Sequence, residues 1–245
     1  ALDQTARQGF DPDDGRVAEI AGPAGLLAFH VDDFDAALAD VDLSMIGVGL
    51  EAGAAFLPAA AQLVGVLERR GISPAEVRGA FNADPLAALA RDGRLPTSLE
   101  TALAQAADLA RWTAETYPRV TAIGVDTSPY HHAGATAVAD LAFAMATAVE
   151  YLRAMTAAGM SIGDAAGQIL FRMSVGTHHF LSIAKLRAGR RLWGRIVEAC
   201  GGPVASGAMR VHARVSDRVL TRRDPYVNIL RNTTALFAGG IGGAE

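Results

Sequence analysis

The sequence predicts an α/β protein built on parallel strands, and three observations predict it. Short apolar runs recur along the chain, at residues 44–50, 77–81, 122–125 and 169–175. Each leads through a polar tip into a longer stretch with apolar residues at helical spacing. Strand, polar tip, helix is therefore the period, which argues a parallel architecture, either a barrel or an open sheet. Finally, 245 residues with 51% apolar and 20% charged side chains can bury one sizeable core, which excludes disorder and fibrous classes.

The elements follow in order. Residues 1–25 mix Gly, Pro and Asp and read as an irregular lead-in packed on the domain. Asp32 or Asp33 caps a short helix through Leu38, and 44–50 (SMIGVGL) is a buried strand. Pro58 opens a helix that ends at Arg69-Arg70-Gly71, a basic last turn with a Gly cap. A second unit has a strand at 77–81, a polar tip from Asn82 to Asp84, and a short helix over 85–91. Residues 98–116 form an amphipathic helix. The strand at 122–125 then enters an elbow, followed by a long helix over 135–155 that stops at Gly159. A strand at 169–175 and a helix over 178–200 come next, with Lys185, Arg187, Arg190, Arg191 and Arg195 marking solvated, phosphate-accessible faces. Gly201-Gly202-Pro203 breaks that helix, 209–213 is a weak strand, and Asp224-Pro225 caps a last helix to about Phe237.

Composition excludes several function classes. A formal net charge of -4 gives no global reason to bind nucleic acid or an anionic membrane. The single Cys200 excludes an intrachain disulfide framework and agrees with a reducing compartment. No signal segment begins the chain, and no run approaches the ~18 apolar residues that span a bilayer. The expectation is a soluble cytoplasmic protein of one domain. The chain starts at Ala1 without a Met and stops directly after a helix, as a piece of something longer would.

The elbow at 126–134 is where chemistry would sit, because residues just past a strand's carboxyl end face the ligand crevice in βα units. Asp126, Ser128, Tyr130, His131 and His132 gather there, and with Asp84 they form a candidate acid/base or metal set. Capping and hydrogen bonding in a βα loop is the competing structural role. His178-His179 is adjacent on a helix, about 100° apart, so the two cannot both face one zinc ion. His30 and His212, near strand ends, read as structural histidines. Arg7 and Arg16 could meet a phosphate or remain surface arginines. The aromatics Phe143, Tyr151, Trp193 and Phe237 sit at helical spacing and read as core. No Gly-rich loop has Walker or dinucleotide spacing.

Three motifs in order, AGATAVADLAFAMATAVEYLRA (133–154), IAKLRAGRRLW (183–193) and DPYVNILRNTTALFAGGIGGAE (224–245), resemble the methylmalonyl-CoA mutase family. GFDPDDGRVAEIAGPAGLLAFHVDD (9–33) extends the resemblance over nearly the whole chain. The resemblance implies a (β/α)8 TIM-type barrel, incomplete here and running from about strand two or three to strand seven, so that 1–245 is a partial barrel domain. In catalytic chains of the family the barrel is threaded by the acyl-CoA tail and joined to a cobalamin domain with an Asp-x-His-x-x-Gly cobalt ligand. Adenosylcobalamin supplies the radical that isomerises the acyl-CoA. This sequence contains no Asp-x-His-x-x-Gly.

The site positions depart from the catalytic pattern as well. Family catalytic chains carry Tyr-His, then three residues, then Ala-Gly-Ala-Thr. Anchoring on Ala133-Gly134-Ala135-Thr136 puts Ser128 and Pro129 at those two positions, and an imide nitrogen cannot polarise a thioester carbonyl. The literal Tyr130-His131 takes over only if the elbow has lost two residues. By the same counting, Gln168 and Leu170 stand where an Arg and a Ser hold the CoA side. Asn82 replaces a Gln, Asp92 lies where an Arg is expected, and Gly49 and Glu51 replace hydroxyl-bearing residues.

The resemblance thus implies the small, non-catalytic subunit of the bacterial heterodimeric enzymes, partnered by a catalytic large subunit. No catalytic, cofactor-binding or metal residue is then expected in this chain, and adenosylcobalamin and acyl-CoA belong to the holoenzyme. Tyr130 and His131 remain the alternative catalytic pair, and His212 and Arg7 the candidates for substrate contact. The rivals are a fragment of a catalytic mutase, a barrel with other chemistry at Tyr130, His131, Asp126 and Asp84, and a bare CoA-binding module.

Overall fold

Parallel βα units make up the computed structural model, which describes residues 1–17, 19, 21–22 and 24–244. The chain divides into two compact units, Ala1–Gly124 and Val125–Glu245. Among the described residues there are five strands, and their order in the sheet follows the chain.

In the first unit the lead-in is less irregular than its composition suggests, although Ala18, Ile20 and Pro23 within it lie outside the described residues. Buried Asp3 caps a short helix, α1 (Gln4–Arg7), by accepting from the Thr5 N–H at 3.0 Å and the Thr5 hydroxyl at 2.7 Å. Helix α2 (Val31–Ala37) starts after His30 rather than after an Asp cap. Asp33, inside the first turn, reaches back to accept from the N–H groups of Phe29 and His30, both at 2.9 Å. Asp32 instead meets Arg69 at 2.6 Å.

The predicted strand at 44–50 shrinks to β1 (Val48–Gly49). Asp42 takes both the N–H and the hydroxyl of Ser44, and this turn leaves Met45 74% exposed, so the apolar run begins outside the sheet. Helix α3 (Phe56–Arg69) starts two residues before Pro58, which a first turn tolerates because its N–H has no partner to lose. It ends as expected, with Gly71 at φ +66°.

Strand β2 (Gly79–Ala83) lies two residues later than its apolar pattern suggested, pairing Val48 with Gly79 and Gly49 with Ala80. Its register against β3 (Val120–Asp126) is irregular between Ala80 and Ala83, where Asn82 adopts φ +52°. Asp84 caps α4 (Pro85–Asp92) by accepting from the Ala87 N–H at 2.9 Å. Ser98 caps α5 (Leu99–Thr116) in the same way. Phe56, Val66, Phe81 and Ile123 fill the centre of this unit.

In the second unit the elbow contains a short helix, α6 (Ser128–His132), before the long α7 (Ala137–Ala157). A helix absent from the sequence reading, α8 (Ile162–Gly167), is capped by Ser161. Strand β4 (Ile169–Val175) has the predicted bounds and pairs in parallel with β5 (Arg210–Val215) from Leu170↔Arg210 to Val175↔Val215. Phe171 of β4 meets Trp193 of α9 (His179–Ala199) edge-on at 5.0 Å. Tyr151 and Trp193 are core, as predicted. Phe143 and Phe237 are not, at 42% and 62% exposed.

Helix α10 (Val227–Ile241) begins without a side-chain cap, so Asp224-Pro225 belongs to the preceding turn, and it continues past Phe237. No helix among the described residues is long and apolar enough to cross a membrane.

Candidate functional site

Asp126 ends β3 and organises the elbow. Its carboxylate accepts from the Ser128 N–H at 2.9 Å and faces the Arg172 guanidinium of β4 at 3.6 Å, with both side chains largely buried. It thereby fixes the turn into α6, whose N-cap residue Thr127 makes no side-chain cap and whose first turn accepts Pro129 without losing a hydrogen bond. The expected service to the long helix is performed by Thr136, whose hydroxyl accepts from the Ala139 N–H at 3.2 Å.

The aromatic residues of α6 go to different places. Tyr130 stacks on Phe143 with ring centroids 4.6 Å apart. His131 places Nε2 2.7 Å from the Ser216 hydroxyl, while His132 faces Asp217 at 3.4 Å. Arg218 donates through Nη1 to the carbonyls of His131 and Ala135, at 3.1 and 3.2 Å. The 3-10 turn Asp217–Val219 that follows β5 is thus tied to α6 by three consecutive residues. Of the candidate acid/base residues, Asp84 caps α4 in the first unit, and in the second the two histidines have separate partners, Ser216 and Asp217. Among the described residues no three His, Cys, Asp or Glu side chains could hold a metal ion.

Behind this turn lies a cavity of about 370 Å³, lined by His131, Thr136, Ser174, Thr177, His178, Ser182, Lys185, Ser216, Arg218 and apolar neighbours including Leu181 and Val219. Lys185 overturns its sequence reading. It is 7% exposed, donating to Asp140 Oδ2 at 2.6 Å and to the carbonyl of Ser174. Buried charge demands such partners. A signal was present in the sequence: Ser182, Lys185, Gly189 and Trp193 share one stripe at helical spacing, and all are buried. Ser216 and Arg218 carried no signal, since their role depends on where β5 ends.

Burial holds the His131 imidazole below the ordinary histidine value of 6.5. Lys185, Arg218 and His132 push the same way, and Asp140 opposes them. The ring is therefore neutral near pH 7. Ser216 is itself held by its N–H to the Val175 carbonyl at 2.8 Å, and its hydroxyl accepts from the Arg218 N–H at 3.2 Å. The His131–Ser216 contact is thus a latch between α6 and the end of β5.

The remaining candidates are dispersed. His212 is exposed on β5, in register with Arg172. Arg7 lies in α1 with a buried Nε that has no hydrogen-bond partner, its backbone close against Gly53. Arg16 is committed to Asp14, whose carboxyl its hydrogen bonds hold down to about 2. His30 precedes α2, and His178 precedes α9 and lines the cavity. His179 stacks on Phe237 at 5.5 Å.

Parallel βα units with polar groups gathered past the strand ends define an α/β protein of the class that presents its ligand crevice there. The chain belongs to the methylmalonyl-CoA mutase family: the family described as Methylmalonyl-CoA mutase matches residues 1–245. It is 45% identical over 224 residues to a methylmalonyl-CoA mutase small subunit of Streptomyces virginiae, covering 91% of this chain and 35% of that protein. It is 39% identical over 215 residues to a probable methylmalonyl-CoA mutase small subunit of Mycobacterium tuberculosis, covering 87% and 34%. To the methylmalonyl-CoA mutase of Escherichia coli it is 31% identical over 248 residues, covering 100% and 34%. The chain spans about a third of the length of these curated relatives.

Proposed function

We propose that the chain is the barrel part of a small, non-catalytic subunit of an adenosylcobalamin-dependent acyl-CoA mutase, the structural partner of a catalytic large subunit. In this reading 1–245 is a partial (β/α)8 barrel, covering about strands two or three to seven, and the holoenzyme interconverts methylmalonyl-CoA and succinyl-CoA. The observation that carries it is the 45% identity to a protein named as a small subunit, against 31% to one named as the mutase without that qualifier. The elbow supports it. Tyr130 and His131 are engaged with Phe143 and Ser216 respectively, and Pro129 stands where the catalytic imidazole is expected.

In this reading adenosylcobalamin is held by the large subunit, and His131 of this chain serves the elbow, its Nε2 meeting the Ser216 hydroxyl. The second reading, a fragment of a catalytic mutase, draws on the match to the Escherichia coli protein over 100% of this chain.

Co-purification of the full-length protein from its native source tests the proposal. The expected result is a larger cobalamin-containing chain in stable complex, with acyl-CoA rearrangement by the complex and none by this protein alone. Turnover by the full-length protein in the absence of a partner would overturn it.

A further inference from the structure

We propose that the cavity behind α6 is an anion site that takes the phosphate of a small phosphomonoester. Its lining contains no Asp or Glu among the described residues, while His131, His178, Lys185 and Arg218 all contribute. Asp140 balances Lys185 from outside that lining, so the uncompensated charge falls on Arg218. Both carbonyl bonds of Arg218 leave through Nη1, which keeps the other edge of its planar fork for a phosphate oxygen. The Thr177 hydroxyl stands on the same wall and can donate to a further oxygen, whereas the Ser182 hydroxyl already donates to the Gly176 carbonyl at 3.4 Å.

The backbone adds to this. Helix α9 has 21 residues and opens beside the cavity after His178 with no side-chain cap, so its first-turn N–H groups add the positive end of the helix dipole there. On α7, Thr136 caps only the Ala139 N–H.

The dimensions argue against an inorganic ion as the whole ligand. About 370 Å³ is the size of a small-molecule pocket, and Leu181, Val219, Ala135 and Ala137 offer an apolar wall for an organic group. This inference rests on the cavity alone and is independent of the subunit reading.

The test is titration of the full-length protein, in its native complex if one exists, with inorganic phosphate and with phenyl phosphate at constant ionic strength, followed by calorimetry and phosphorus NMR. Leu181 is 55% exposed, so Leu181→Glu can place a carboxylate at the cavity without disturbing the core, and Leu181→Gln controls for shape. Saturable binding is expected, at least tenfold weaker in Leu181→Glu and retained in Leu181→Gln. Arg218→Gln should weaken it as well. Tighter binding of phenyl phosphate identifies a phosphomonoester ligand, whereas equal binding reduces the site to one for free phosphate and removes the organic part of the proposal. Absence of saturable binding by both probes, or binding unchanged in Leu181→Glu, would overturn it.

Discussion

Lys185 and Asp140 form a buried ion pair, Nζ to Oδ2 at 2.6 Å, that joins α9 to the first turn of α7 with 6% and 1% of the side chains exposed. Asp140 Oδ1 has no hydrogen-bond partner, so the pair depends on a single carboxylate oxygen and on the Ser174 carbonyl that also receives the lysine. Removing one charge strands the other. Lys185→Met should therefore cost roughly 3–5 kcal/mol, while Lys185→Met with Asp140→Leu should recover most of that loss because no charge remains buried. Denaturant midpoints of the two variants decide it. Equal destabilisation in both would mean that packing, rather than uncompensated charge, sets the cost.

The strand pair β1–β2 rests on a glycine. At Gly79, φ is +150° and an added Cβ would stand 2.1 Å from the carbonyl oxygen of Val48, a backbone atom that cannot turn aside. Gly79→Ala should therefore force β1 away from β2 and cost about 3 kcal/mol or more. Gly71 is left-handed too, at φ +66°, but faces open space, so Gly71→Ala should cost only about 1–2 kcal/mol. Urea denaturation separates the two effects. A Gly71→Ala loss as large as that of Gly79→Ala would contradict the steric account.

How legible these features were depends on the range of the interaction behind each. Residues 169–175 alternate against neighbours on both faces, and the strand appeared at the predicted bounds. The Gly71 cap, which acts within a few residues, was also readable, whereas Asp84, put forward as a candidate acid/base residue, caps α4, and Ser98, placed only at a helix start, caps α5. The run at 44–50 failed because a local Asx turn at Asp42 outcompeted its hydrophobicity. Lys185 failed for a different reason: its place on the buried stripe of Ser182, Gly189 and Trp193 was legible, but its partner lies 45 residues upstream and no spacing marks that pairing. The elbow was placed correctly as a polar concentration after β3. The partner of each residue there was set by the turn after β5, about 85 residues on, and no spacing within the elbow encodes that.

Asp3 makes a prediction in acid. Burial raises its pKa, but bonds from the Thr5 hydroxyl and from the N–H groups of Thr5, Ala24 and Gly22 outweigh this and hold it at about 2, against 3.8 unfolded. A depressed carboxyl pKa contributes stability that is complete above the unfolded value and is lost as pH falls through the folded one. The thermal midpoint should therefore drop between about pH 4 and pH 2 partly through Asp3, and Asp3→Asn should flatten that part of the profile. At neutral pH, Asp3→Ala should cost about 1–2 kcal/mol through loss of the α1 cap. An unchanged acid profile in Asp3→Asn would assign the drop to other carboxylates.

His131 separates a latch from a catalyst. As a latch it contributes one hydrogen bond to Ser216, so His131→Ala should cost about 1 kcal/mol and leave turnover of the holoenzyme within a few-fold. Because the folded pKa lies below 6.5, the native state binds this proton less readily than the unfolded chain does. The stability that neutral His131 contributes is complete above that value and is lost as pH falls toward the folded pKa. Lys185, Arg218 and His132 disfavour the imidazolium and Asp140 favours it. In NMR, the His131 ring should titrate below the ordinary histidine range, and the Ser216 amide should shift with it. In His131→Ala the Ser216 titration should vanish. A hundredfold loss of holoenzyme turnover with that variant, folding unchanged, would instead make Tyr130-His131 the active pair and reverse the assignment of this chain as the non-catalytic partner.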